Sequence, residues 1–250
     1  MLDQHFVYFP ADWTERNWRQ YSGLPLEEVW IQVTNDVRVF GWFVDAGPKK
    51  PVLLWCHGNA GNIAHRLGNL SDLYRGGLSV FLFDYRGYGK STGSPSESGL
   101  YADALASYEY LISERRVKPE RLVIFGRSLG AAVAGEVATQ RAAAGLILES
   151  AFPSMQAMAD QHYLGLPASW FVDAKYPLSQ KLANVTVPTF VIHGENDQIV
   201  PMALGKQVYE SARHPKTWYM VPRAGHNDVP YVGGRPYYRQ IFSFIQKVVR

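Results

Sequence analysis

Only one cysteine, Cys56, occurs in the 250 residues. An internal disulfide is therefore impossible, and there is no Cys pair or His-Glu-x-x-His to hold zinc. Cys56 lies in the apolar run Val52–Cys56 and reads as a small buried hydrophobe. Cationic runs stop at Lys49-Lys50 and Arg115-Arg116, and the formal net charge is only +3. Composition thus gives no footing for nucleic acid or an anionic membrane as a partner. No apolar window reaches a membrane-spanning length, and the start of the chain lacks a basic segment leading into an apolar one. The expectation is a soluble, cytoplasmic protein. Internal repeats, low-complexity tracts and linkers are missing too. Gly89-Lys90-Ser91 hints at a phosphate loop, but the glycine such a loop needs five positions earlier is Asp84.

What is present is a regular alternation of element types, expected to fill a single α/β domain over 1–250. Residues 1–26 form an irregular aromatic arm containing Phe6, Tyr8, Phe9, Trp13, Trp18 and Tyr21. Apolar alternation over 28–34 and 37–44, joined by Asn35-Asp36, predicts a β-hairpin. Continuous apolar runs at 51–56, 79–83, 122–125, 144–148, 187–193 and 217–221 predict strands buried on both faces. Helices are expected at 63–74, 97–116, after residue 128, and at 236–249. The fold class is α/β: an eight-stranded, mostly parallel sheet with its first pair antiparallel and helices on both faces. The long connection from about 150 to 186, with Met155, Met158, His162, Tyr163, Leu166, Trp170 and Phe171, is a lid-like insertion or packed surface structure.

Gly126-Arg127-Ser128-Leu129-Gly130 comes after an apolar, β-branched run and opens an Ala-rich helix. This is the strand–turn–helix setting of a G-x-S-x-G nucleophile elbow, whose tight turn tolerates no Cβ at the glycines. The pattern occurs twice, because Gly89-Lys90-Ser91-Thr92-Gly93 also fits it. Ser94-Pro95-Ser96 comes next there instead of a helix, so Ser91 reads as a loop residue.

A serine hydroxyl needs a base, and the base needs an orienting acid. On this arrangement the chain order is Ser, then Asp or Glu, then His. Asp197 suits the acid because it lies in the loop after a strand, deeper than its neighbour Glu195. Glu149, at the end of the preceding strand, is a further alternative, or else a residue that holds the Ser150–Phe152 turn. His226, after Gly225 in the loop beyond the last strand, suits the base. His57 and His193 precede glycines at strand ends and read as loop ties; His5, His65 and His214 fall in the arm, a helix and a loop tip. Two N–H donors must face the developing oxyanion. Leu129, next to the nucleophile, supplies one; Asn59 supplies the other, with Ala60 second, from His57-Gly58-Asn59-Ala60-Gly61-Asn62.

These segments together resemble the α/β-hydrolase superfamily. The nearest resemblance is to small serine hydrolases and esterases with an HGNAGN oxyanion loop and little or no cap. It rests on that loop, Asp84-Tyr85-Arg86-Gly87-Tyr88-Gly89, Gly126-Arg127-Ser128-Leu129-Gly130, His193-Gly194-Glu195-Asn196-Asp197 and Ala224-Gly225-His226-Asn227-Asp228, all in order. It covers about 27–250. It implies Ser128, Asp197 and His226 as catalytic residues, Asn59 and Leu129 as oxyanion donors, and a structural role for Asp84 and Arg86. It also implies no cofactor and no metal. Relatives of this branch often carry a membrane anchor ahead of a segment like Phe6-Val7-Tyr8-Phe9-Pro10. The expected substrate is a small-molecule carboxylic ester of small to medium acyl chain. An acyl-protein thioesterase, a serine peptidase and a catalytically silent binding module stand as alternatives.

Overall fold

The computed structural model describes residues 7–14, 23–162 and 173–249. Trp18, Tyr21, Tyr163, Leu166, Trp170 and Phe171, named above in the arm and the lid-like connection, lie outside these residues, as do His5 and Phe6. Eight strands form one sheet: β1 (Glu27–Thr34), β2 (Val37–Val44), β3 (Val52–Cys56), β4 (Ser79–Phe83), β5 (Leu122–Arg127), β6 (Gly145–Glu149), β7 (Thr189–Gly194) and β8 (Lys216–Val221). Their order across the sheet is β1-β2-β4-β3-β5-β6-β7-β8. The hairpin partner β2 is antiparallel to β1 and also to β4, and the remaining pairs are parallel. β2 is therefore the single reversed strand of the eight.

Strand residues alternate between two cores, as the period of two requires. Leu54, Cys56, Phe81, Phe83, Ile124, Leu146 and Leu148 face one side. There they meet α2 (Glu97–Ser113), α3 (Leu129–Gln140), α5 (Leu178–Leu182) and α6 (Met202–Ser211). Leu53, Trp55, Val80, Leu82, Val123, Phe125, Ile147 and Phe190 face the other, against α1 (Leu67–Arg75) and α7 (Val229–Val248). Within 150–186 the described helices are α4 (Met155–His162) and α5. Among the described residues no helix is long and apolar enough to cross a membrane.

Two boundaries differ from expectation for local reasons. The helix predicted over 63–74 begins as a 3-10 turn, Ile63–Arg66, because Asn62 accepts the Ala64 N–H and draws the first turn tight. The closing helix starts seven residues before Pro236, but Gly234 adopts φ 48°, ψ −139° and breaks it into two pieces. Proline cannot donate to the preceding turn, so Pro236 suits the start of the second piece.

The sheet order reverses direction beside β3, where β4 lies on one side and β5 on the other. In such sheets a crevice opens beyond the carboxyl ends of the strands. The loops after β3 and β5 carry the HGNAGN segment and Ser128.

Candidate active site

Ser128 joins β5 to α3 at φ 53°, ψ −120°. A side chain is rarely held there, and the strain costs on the order of 1–3 kcal/mol. The surroundings impose it. A Cβ on Gly126 would fall 2.3 Å from the Gly130 carbonyl oxygen, and one on Gly130 would fall 2.1 Å from that of Cys56. Only glycine at both positions lets α3 close onto β5 and β3. The Ser128 N–H donates to the Glu149 carbonyl at 2.8 Å. Its side chain is thereby raised toward the loops after β7 and β8.

His226 lies in the loop between β8 and α7, where the Asp228 carboxylate accepts the Gly225 N–H at 2.7 Å. Its Nε2 is 3.0 Å from Ser128 Oγ, and its Nδ1 is 2.7 Å from Asp197 Oδ2. A carboxylate only accepts, so Nδ1 carries the proton and Nε2 is left to accept from the serine hydroxyl. Asp197 is 5% exposed. Its Oδ1 accepts the N–H groups of Ile199 at 3.0 Å and Val200 at 2.8 Å, which fixes the carboxylate plane.

The structure brings Ser128, His226 and Asp197 into one hydrogen-bonded line and leaves the two other acids out of it. Glu195 is exposed and accepts the Arg223 N–H at 2.9 Å. Glu149 is buried, with Oε1 3.1 Å from Arg127 Nε and Oε2 accepting from the Tyr237 hydroxyl at 2.5 Å. It is engaged with those two side chains rather than with the Ser150–Phe152 turn. Burial, and after it the Glu149 carboxylate, pushes the Tyr237 hydroxyl well above the usual phenol range.

His193 ties the acid loop, donating from Nε2 to the Val200 carbonyl at 2.8 Å. A Cβ on Gly205 would fall 2.3 Å from its Nδ1, so the imidazole is packed directly on α6. Burial holds its pKa below the ordinary 6.5 despite the neighbouring Asp197.

The HGNAGN loop lies against the elbow. A Cβ on Gly58 would stand 3.5 Å from Ser128 Cβ. The Asn59 side chain is committed to the arm and to Tyr88: Oδ1 accepts from the Tyr88 hydroxyl at 2.7 Å and the Phe9 N–H at 3.3 Å, and Nδ2 donates to the Val7 carbonyl at 2.5 Å. Any donor role of Asn59 therefore belongs to its main-chain N–H. The arm continues along the loop, with the Gly61 N–H donating to the Phe9 carbonyl at 3.0 Å and Asn62 donating to Ala11 and Asp12. Leu129 opens α3, and a first-turn N–H has no acceptor within its own helix. The positive end of that helix lies next to Ser128.

Ser91 is structural. It donates to the Asp84 carbonyl at 2.7 Å and accepts the Phe40 N–H at 2.8 Å, pinning its loop to β2. Asp84 accepts the Ile63 N–H at 2.9 Å, and Arg86 grips Asp103 through Nε and Nη2. The residue that sequence reasoning passed over is Arg127. Besides Glu149 it reaches His226, its Nη2 donating to that main-chain carbonyl at 2.9 Å. An arginine at the end of an apolar strand beside Ser128, with an acid ending the next strand, was the available signal.

The sheet order and the elbow define an α/β-hydrolase fold. Consistent with this, the family model described as serine aminopeptidase, S33, matches residues 47–177, about half of the chain. The uncharacterized protein Rv2307c of Mycobacterium tuberculosis is 40% identical over 235 residues, which cover 93% of this chain and 83% of that protein. The α/β-hydrolase domain-containing protein WAV2 of Arabidopsis thaliana is 34% identical, covering 88% of this chain and 79% of its own. Among solved structures, the Pyrococcus furiosus esterase Pf2001 superposes with a TM-score of 0.80 at 20% identity, covering 97% of this chain and 98% of its own, a likeness of fold. The chain belongs to this family of α/β hydrolases.

Proposed function

We propose that the protein hydrolyses carboxylic esters of small to medium acyl chain through an acyl-enzyme, with Ser128 as nucleophile, His226 as base and Asp197 as acid. The observation that carries the reading is the line from Asp197 Oδ2 through His226 to Ser128 Oγ, at 2.7 Å and 3.0 Å. His226 Nε2 removes the hydroxyl proton as Oγ bonds to the ester carbonyl carbon. The carbonyl electron pair moves onto oxygen and is met by the N–H groups of Leu129 and Asn59. Collapse expels the alkoxide, which takes the proton from Nε2, and leaves Ser128 acylated. Water then repeats the sequence, with His226 first accepting and then returning a proton. These steps need no cofactor. A cytoplasmic location is part of the proposal and is read by fractionating cells that make the protein.

Amide cleavage is the second reading, favoured by the family's description as serine aminopeptidase. An aminopeptidase must hold its substrate's α-ammonium with a carboxylate. Among the described residues, Glu149 is engaged with Arg127 and Tyr237, Glu195 with the Arg223 N–H and Asp228 with the Gly225 N–H. This supports esters over aminoacyl amides. The test is a panel of p-nitrophenyl esters and matched thioesters of increasing acyl length beside aminoacyl p-nitroanilides. Ester turnover that peaks at short or medium acyl length and is lost in Ser128→Ala is the expected result. Dominant anilide cleavage would favour the peptidase, a preference for long-chain thioesters the acyl-protein thioesterase, and no turnover of any class a silent binding module.

A further inference from the structure

We propose that Arg127 and Glu149 are positioning residues: their buried ion pair, braced by Tyr237, holds the His226 loop in register with Ser128. This rests on the reading of Ser128 and His226 as nucleophile and base.

Nucleophile and base lie on separate elements, 98 residues apart. Asp197 controls the imidazole ring, but nothing in that contact fixes the main chain that carries the ring. Arg127 does so. It ends β5 immediately before Ser128, and its side chain is 7% exposed. One edge of the guanidinium faces Glu149 Oε1, 3.1 Å from Nε, while Nη2 donates to the His226 carbonyl at 2.9 Å. Glu149 is fully buried at the end of β6. Its Oε2 takes the Tyr237 hydroxyl from α7, and its main-chain carbonyl takes the Ser128 N–H. Both halves of the reacting pair are thus referred to one residue: the serine through the Glu149 backbone, the histidine through the Glu149 side chain and Arg127.

Stability alone does not call for charges here. A buried ion pair loses hydration that its mutual attraction barely returns, and an apolar pair of equal volume often serves as well. A guanidinium offers instead a rigid planar fork whose charge pairs with the Glu149 carboxylate while its Nη2 donates to the His226 carbonyl. That geometry matters because proton transfer between Oγ and Nε2 works only within hydrogen-bond reach.

The test compares the intact protein with the Arg127→Met/Glu149→Gln double variant, which leaves no lone buried charge, and with Arg127→Ala. Arg127→Lys keeps the ion pair but loses the fork, and gives the same comparison should the double variant fail to fold. The readouts are the rate of fluorophosphonate attachment to Ser128, kcat and KM for p-nitrophenyl butyrate, and thermal melting. For the folded variants, kcat and the attachment rate should fall about tenfold to a hundredfold, as displacement of a reacting group by an ångström does. KM should stay within about twofold, because ground-state binding is untouched. Millimolar guanidinium should restore part of the kcat of Arg127→Ala. A brace with no part in positioning would lower the melting temperature alone, leave the kcat of folded protein at the wild-type value, and show no response to guanidinium; that result overturns the proposal. If wild-type protein itself takes no label at Ser128, the underlying reading fails, which is a different outcome from equal labelling of wild type and variant.

Discussion

Replacing Asp197 with asparagine isolates the electrostatic part of the site. The side chains have nearly the same shape. The amide oxygen can keep the Ile199 and Val200 N–H groups that Oδ1 now accepts at 3.0 Å and 2.8 Å. The loop should therefore keep its place and the protein should fold. The amide nitrogen would then replace Oδ2, 2.7 Å from His226 Nδ1. Two donors cannot share that contact, so the imidazole must present Nδ1 as an acceptor and carry its proton on Nε2. Facing Ser128 Oγ at 3.0 Å, a protonated Nε2 cannot take the hydroxyl proton. The wrong tautomer lowers kcat by about 10,000-fold, or roughly 5 kcal/mol of barrier. The assay is kcat for a p-nitrophenyl ester, with thermal melting to confirm folding. Glu195→Gln is the control and should stay within about twofold of wild type, since it removes only an exposed charge while the amide oxygen can still accept the Arg223 N–H. Asp197→Asn that is folded and retains kcat within about tenfold of wild type would refute the tautomer argument.

Asn59→Ala removes the partners of the Tyr88 hydroxyl, the Phe9 N–H and the Val7 carbonyl. It should cost about 1–3 kcal/mol of stability and expose the arm to early cleavage in limited proteolysis. Ser91→Ala should lower the melting temperature by loosening its loop from Phe40 and Asp84, yet leave fluorophosphonate labelling of the folded protein unchanged. His193 is held neutral below its ordinary pKa of 6.5 by burial. The unfolded chain then binds the proton more readily, so this contribution is full above 6.5 and is lost as pH falls from 6.5 through the lowered folded value. Denaturant unfolding across this range should show an acid loss of stability that is smaller in His193→Gln.

The strands were legible because a sheet covered on both faces needs continuous apolar runs, and Leu53-Leu54-Trp55-Cys56 and Val80-Phe81-Leu82-Phe83 supply them. The two G-x-S-x-G segments could be separated by the residues on their C-terminal sides. Ala131-Ala132-Val133 continues a helix, whereas Pro95 cannot donate to a helical turn and favours a loop. Helix starts were less legible, since they depend on single capping contacts such as Asn62 to Ala64 or on the Gly234 break. The partners of Asn59 were hidden because Val7 and Phe9 are about fifty residues away in sequence and meet it only through tertiary packing. Tertiary packing also concealed Arg127, whose contacts with Glu149, and through it Tyr237, and with His226 join three separate elements. Period and motif report which face of an element is buried, not which polar groups meet across the core.

The central claim is an activated serine at position 128. Its most direct test is to treat the folded protein with a fluorophosphonate and map the adduct by peptide mass spectrometry. The expected result is one adduct, on the peptide carrying Ser128, and none in Ser128→Ala. An adduct on Ser91, or folded protein that takes none, would contradict the claim.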